Sequence, residues 1–413
     1  MQPSNITTHY LSRYRRLATD TLLPVTGAQR RFLLARRMDP HGRPAVVPVF
    51  FTFPSGTLDL ARLRTAANRL AAAHPALRAR PETVHGTPVQ RMGDPVADVR
   101  RTSRRPGEGA SDTLLRTLTA WPAEGPPLRL YVADDGPEEI LAIALDHAVC
   151  DEHSLGTVLA DLSAAYRDRL APEDIEPRAA AAALQDYREA VRLQLDAEAR
   201  ASNPEALAYW ARRLAPLRPA APARRADGGQ TAGAALARLP VGDGGHRATA
   251  FPVLLDACTA AAHALYGPDR LPALGYPWGG RPAAAPHVPG CFLNTVVHPA
   301  APGADPAAWW DDLDHADTPF DEVARAARAA GCDWSGALDG LLTFEDLGRR
   351  PALVLGGVTG RETHVDGRPV QGPFAVSVSY GTDLLVRMSW DRAVLTDDLA
   401  QEAFTRLLDA LAP

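Results

Sequence analysis

Asp146 and His147 stand side by side at the end of an apolar run, Leu141 to Leu145, and Asp151 and Ser154 follow closely in the stretch LAIALDHAVCDEHSLG. An imidazole beside a carboxylate is a candidate acid–base pair, because a neutral ring titrates near pH 7 and can take up and return a proton. Three carboxylates, Asp146, Asp151 and Glu152, crowd this loop. Their negative field is expected to raise the pKa of His147 and favour imidazolium, unless a buried arginine offsets it. Cys150 invites a thiol nucleophile, but no order of Cys, His and Asp matches a thiol site, and a small buried filler is the simpler reading. His147, His153, His287 and His315 lack ligand spacing, so no metal is assigned.

The elements around the loop follow from pattern. The run Ile140 to Leu145 reads as a buried strand, and Leu155, Val158, Leu159 and Leu162 read as an amphipathic helix with Ser154 as its N-cap. Leu128 to Val132 flanks the same turn-rich DDGPEE as Ile140 to Leu145, which gives a β-hairpin whose second strand delivers Asp146 and His147. Earlier in the chain, PVTGAQRRFLLARR is a turn feeding a helix with Ala28, Phe32 and Leu33 on one face and arginines on the other, read as a solvated face rather than an acidic-partner site. Val46 to Phe53 is a strand. Leu58 to Ala73 is a helix that runs out at His74-Pro75, since proline disfavours a helical residue before it.

Composition limits the chemistry further. All 44 basic residues are arginine, so a lysine Schiff base, a phosphate-loop lysine and a lysine general base are excluded. The net charge of -5 argues against nucleic acid as the main partner. No apolar run approaches the ~20 residues of a membrane span, and the N-terminal stretch lacks the apolar core of a secretion signal, so a cytoplasmic location is expected. Cys150, Cys258, Cys291 and Cys332 are widely spaced and should be reduced thiols without zinc.

With 413 residues, two lobes are expected. Helical patterns from Ala179 to Leu214 suggest a bridge, and Pro216 to Gly245 reads as a flexible, exposed connection. A helix through Leu254, Cys258 and Leu265 opens the second half. Strands at Leu341 to Phe344, Phe374 to Tyr380 and Leu384 to Trp390, a helix starting at Pro319 and a final helix complete an α+β composition.

Taken together, TGAQRRFLLAR, AHPALRAR, DHAVCDEHS, YWARRL, GYPWGGRP, PGCFLNT and HADTPF resemble, in order, seven motifs of the condensation domains of nonribosomal peptide synthetases, in the chloramphenicol acetyltransferase-like superfamily. The resemblance implies two lobes of similar fold in a V around a central tunnel. The N-terminal lobe would be residues 1–175, a helical bridge and linker 176–245, and the C-terminal lobe 246–413. It implies a free-standing acyltransferase that joins a carrier-bound acyl, aminoacyl or peptidyl thioester to an amine. His147 aligns with the catalytic histidine, as general base or as the group that orients the amine and stabilises the tetrahedral intermediate. Asp151 would be a structural ion-pair partner, with Arg281 the first candidate and Arg78 the second. Asn294, Cys150 and Ser154 would lie at the tunnel, with Asn294 either donating a hydrogen bond into it or fixing a loop.

Two departures from HHxxxDGxS stand out: Asp146 replaces the first histidine and Glu152 the glycine. They open a second reading, a condensation-like domain without catalysis that recruits a partner enzyme or a carrier protein. Asp146 and Asp151 also fit DxxxxDxxS, which opens heterocyclisation of Cys, Ser or Thr, ranked below condensation. No tightly bound cofactor is expected, since phosphopantetheine enters only as the arm of a carrier protein. The expected partners are that carrier and a free or carrier-bound amine, with no membrane or nucleic acid and the chain a monomer.

Overall fold

A strand that is apolar at nearly every position must be covered on both faces, and Glu138–Asp146 is such a strand, buried at every position but its first. The structure, a computed structural model, describes residues 5–17, 21–39, 44–122, 124–219, 232–241, 250–279, 281–303, 307–368 and 370–412. It divides into two compact units. The first comprises Met1–Ala197, Arg281–Leu293 and Arg350–Val365, and the second Glu198–Gly280, Asn294–Arg349 and Asp366–Pro413.

In the first unit, Glu138–Asp146 is the central strand of a five-stranded sheet, antiparallel to Val46–Pro54 on one side and to Leu128–Asp135 on the other. Arg361–Thr363 and Asp98–Arg101 form the edges. Leu141, Ile143 and Leu145 enter the larger core with Leu63, Leu70, Val158 and Leu162 from the helices Leu60–Ala73 and Ser154–Asp168. Ile140, Ala142 and Ala144 face a smaller core with Leu114, Leu118 and Tyr131. Each fully buried leucine here contributes roughly 1.5–3 kcal/mol relative to exposure. Helix Leu60–Ala73 is capped by Asp59, whose Oδ1 accepts from Ala61 and Arg62, and it ends at His74, as the following proline requires.

The second unit is built on a six-stranded sheet ordered Asn294–Pro299, Ala273–Trp278, Gly340–Asp346, Phe374–Tyr380, Asp383–Trp390 and Gly233–Pro240. Helices Phe251–Tyr266 and Asp397–Leu411 pack together and share a core with Trp210, Trp334 and Trp390. Both units therefore mix helix and sheet, the α+β class the pattern indicates.

The structure departs from the sequence reading in three places. Within Pro216 to Gly245, Gly233–Pro240 is a strand, paired antiparallel with Asp383–Trp390; residues 220–231 and 242–245 lie outside the described residues. Ser154 is not the N-cap of its helix. The cap position is His153, which makes no side-chain capping bond, and the Ser154 hydroxyl is used elsewhere. Finally, two segments of the C-terminal half, Arg281–Leu293 and Arg350–Val365, fold into the first unit, where a division at 1–175, 176–245 and 246–413 leaves no place for them.

Candidate active site

Pairing in the central sheet ends with Asp146 opposite Val46, and the chain then turns sharply. Val149 and Cys150 both donate their amides to the Asp146 carbonyl, and the Ala148 amide donates to Asp146 Oδ1 at 2.9 Å. The aspartate thus caps the turn in which His147 sits. It is 4% exposed, and its charge is met by Arg36, whose Nη2 lies 2.8 Å from Oδ1 and 3.1 Å from Oδ2. Arg36 comes from the helix Gly27–Met38, on the arginine-bearing side read as solvated. On the same helix Arg30 is also buried, with Nη2 donating to Thr7 Oγ1 at 3.0 Å.

His147 is partly buried, and its ring stacks on Phe32 with centroids 4.3 Å apart. Its Nδ1 lies 3.1 Å from the Cys150 carbonyl oxygen. A carbonyl only accepts, so Nδ1 carries the hydrogen and, in the neutral ring, Nε2 keeps its lone pair. Among the described residues no hydrogen bond engages Nε2. Burial lowers the pKa of His147 below the usual imidazole value and outweighs the upward pull of Asp151 and Asp146. The expected elevation by three carboxylates is therefore reversed. Asp146 and Asp151 are each neutralised by an arginine, and Glu152 is exposed.

Asp151, fully buried, is the anchor of the loop. Arg281 Nη2 donates to its Oδ1 at 2.7 Å, the Phe292 amide to Oδ2 at 3.0 Å, and Ser154 Oγ to Oδ1 at 3.2 Å. The Ser154 hydroxyl also receives the Gly290 amide at 3.0 Å, while the Asp151 amide donates back to the Gly290 carbonyl. A Cβ at Gly290 would overlap the Phe292 ring, so only glycine fits here. Arg281 itself lies over that ring, 4.5 Å from its centroid. Arg78, the other candidate partner, forms no ion pair with Asp151; its Nε is buried without a hydrogen bond.

This arrangement, a histidine on a tight turn locked by an aspartate–arginine pair to a later segment, accompanies a match of residues 19–235 to the family model "Condensation domain". The chain belongs to the condensation-domain family. Among curated relatives of this condensation domain is the probable non-canonical nonribosomal peptide synthetase CymA of Salinispora arenicola (strain CNS-205). It is 30% identical over 323 residues, which are 72% of this chain and 4% of that protein. The chain therefore spans a small fraction of the length of such relatives. Solved structures of similar fold include the first condensation domain of the calcium-dependent antibiotic synthetase in complex with substrate analogue 2a (TM-score 0.71, 19% identity, 94% of this chain and 95% of that one). They also include the X-domain from teicoplanin biosynthesis (TM-score 0.67, 21% identity, 95% of each chain), solved as well in complex with OxyB.

The remaining site candidates of the condensation domain have different fates. Cys150 is wholly buried in the larger core, and burial, reinforced by Asp151, pushes its thiol far above the ordinary range. It is expected to stay unmodified by iodoacetamide at about pH 8 until the protein is denatured, which mass spectrometry of alkylated peptides reads directly; labelling in the folded state would contradict its burial. Asn294 lies in the second unit. Its Nδ2 donates to the carbonyls of Ala316 and Thr318, each at 2.7 Å, and its Oδ1 accepts from Phe320 at 3.1 Å. It fastens the HADTPF loop. The Tyr209 ring lies tilted against His315, with centroids 4.2 Å apart, Trp210 Nε1 donates to the His315 carbonyl and Trp278 Nε1 to Asp317, so four of the quoted motifs meet around that loop.

A cavity of about 750 Å³ in the first unit opens beside the Arg36–Asp146 pair, with Leu33, Arg37, Arg80 and Pro127 in its walls; His147 is not part of its lining. Sequence reasoning missed Arg36 as a partner of the motif. Its only signal was a helical spacing of seven residues from Gln29 and four from Phe32.

Proposed function

We propose that this domain catalyses amide formation between a carrier-bound acyl, aminoacyl or peptidyl thioester and an amine, with His147 as the group that manages the amine proton. The observation that carries this reading is the Nδ1 contact to the Cys150 carbonyl, which leaves Nε2 of a neutral ring as an acceptor. The amine nitrogen attacks the thioester carbonyl, the C–S bond breaks as the tetrahedral intermediate collapses, and the proton shed by the amine passes through Nε2 to the departing thiolate. Phosphopantetheine is then the arm of the carrier and part of the substrate. Asp151 and Arg281 hold the loop, and Ser154 ties it to Gly290.

A second reading, recruitment of a partner enzyme, is favoured by one observation. The position of the family's first motif histidine is an aspartate, which is engaged by Arg36 and so is not a free base. The teicoplanin X-domain, of similar fold, forms a complex with OxyB. Heterocyclisation gains less support, because both carboxylates of DxxxxDxxS are held by arginines.

Incubation with an acyl-carrier thioester and candidate amines, followed by mass spectrometry of the product, tests the proposal. Amide is expected with the native protein and a loss of about 10²-fold or more with His147→Ala. Turnover unchanged by that substitution rules out the role given to His147. No turnover, with stable binding of a partner enzyme, supports recruitment instead.

A further inference from the structure

The helix Gly27–Met38 touches the motif loop along a single stripe. Gln29 Nε2 donates to the Ala148 carbonyl at 2.9 Å, the Phe32 ring stacks on His147 at 4.3 Å, and Arg36 pairs with Asp146 at 2.8 Å. Positions 29, 32 and 36 follow the i, i+3, i+7 spacing of one helix face, and they meet residues 148, 147 and 146 in reverse order. The helix is itself fixed. Thr26 and Gln29 form a reciprocal capping box, and the Thr26 hydroxyl donates to the Cys291 carbonyl at 2.8 Å.

We propose that this stripe sets the orientation of His147, with Phe32 and Arg36 as positioning residues, the first through the ring face and the second through Asp146. The ring has two rotatable bonds. The Cys150 carbonyl fixes one edge and Phe32 one face, while the turn capped by Asp146 fixes its backbone. Arg36 makes that cap compatible with a neutral ring. A nearly buried carboxylate next to an imidazole favours imidazolium, and a guanidinium bridging both carboxylate oxygens opposes that field, adding to the burial that already lowers the ring's pKa.

The charges that act on the ring, and the arginines that pair with them, come from several elements. Asp146 and Asp151 belong to the loop itself, Arg36 comes from the helix, and Arg281 comes from the 281–293 segment on Asp151. The thiols of Cys150 and Cys291 are pushed up by burial and stay uncharged. Arg36 thus works alongside burial in keeping the ring neutral beside an aspartate at position 146, and it lies at the end of the stretch that resembles the first motif.

The kinetic side of this inference rests on the base role proposed for His147, whereas the electrostatic side does not. The test is therefore nitrogen NMR of labelled histidine, assigned by its loss in His147→Gln, together with condensation kinetics. Arg36→Gln is expected to raise the His147 pKa by about one unit and, near pH 7, to lower kcat about tenfold with KM changed less than about twofold. Arg36→Gln combined with Asp146→Asn removes both charges and should bring the pKa back toward the native value and restore part of kcat. A His147 titration unchanged in Arg36→Gln overturns the proposal, and so does a double variant as displaced as the single one. If circular dichroism shows Arg36→Gln unfolded, Asp146→Asn alone reads the same coupling: the pKa of His147 must fall, and an unchanged value refutes the idea. Should the native protein make no amide, the reading of catalysis fails while the titration still decides this one.

Discussion

Arg281→Ala is expected to destabilise the first unit by about 3–5 kcal/mol, a drop in melting temperature of roughly 10 °C. Asp151 is fully buried and stays anchored by the Phe292 amide and the Ser154 hydroxyl when the guanidinium is removed. The carboxylate would then be left charged in a poorly solvated place, which costs far more than the pair itself contributes. The variant also loses the bond from Nη1 to the Val288 carbonyl at 2.9 Å and the contact with the Phe292 ring. Asp151→Asn in the Arg281→Ala background should recover much of the loss, since no unpaired charge remains. Calorimetry of the four proteins of this cycle checks it. A single-variant cost below about 1 kcal/mol would mean that water reaches the carboxylate.

Asp312→Ala should affect the second unit comparably, with a pH signature. Asp312 is fully buried and accepts from Tyr209 Oη at 2.6 Å and from Arg213 Nε at 2.8 Å, while His298 Nδ1 stands 3.5 Å away. Burial alone would push its carboxyl up, but His298, Arg213 and Tyr209 outweigh it and hold the group below the usual carboxylate range. A depressed folded-state pKa gives stability that is fully present above the unfolded value of about 3.9 and is lost as pH falls through the folded value. The gap between native and variant proteins is therefore expected to be about 3–5 kcal/mol near pH 7 and to narrow progressively below about pH 4. Unfolding followed by tryptophan fluorescence suits the measurement, because Trp210, Trp334 and Trp390 all lie in this core. A gap independent of pH would show that Asp312 acts through packing alone.

Local pattern carried much of the fold. The strand to Leu145, the helix to Ala73 and the strand from Phe374 to Tyr380 were legible because each buries a regular set of apolar positions. The strand Gly233–Pro240 was not, because its alternation carries little contrast: the inner positions are Gly233, Ala235, Ala237 and Leu239, while Ala234 and Leu236 face outward, Leu236 47% exposed. Gly233 lies beneath the Trp390 ring, which leaves no room for a side chain. That close approach depends on a residue far along the chain.

The same holds at the site. His147 and Asp151 stand out within one short stretch, but the burial that lowers the histidine's pKa and the pairing of Asp146 with Arg36 across 110 positions both belong to the fold. Sequence proximity suggested three uncompensated carboxylates, and only the fold brings the compensating cations to two of them. The Ser154 hydroxyl was legible as a helix-start residue, but its bonds to Asp151 and Gly290 depend on the return of the 281–293 segment.

The reversed reading of 148, 147 and 146 by positions 29, 32 and 36 has a consequence for how this helix can change over evolution. A substitution at one of the three gives up one grip and leaves two. A single residue inserted or deleted between Gln29 and Arg36 turns everything beyond it by about 100° and carries Arg36 off the loop. The segment should thus accept altered letters much more readily than altered length, and its length is the better marker of a working site.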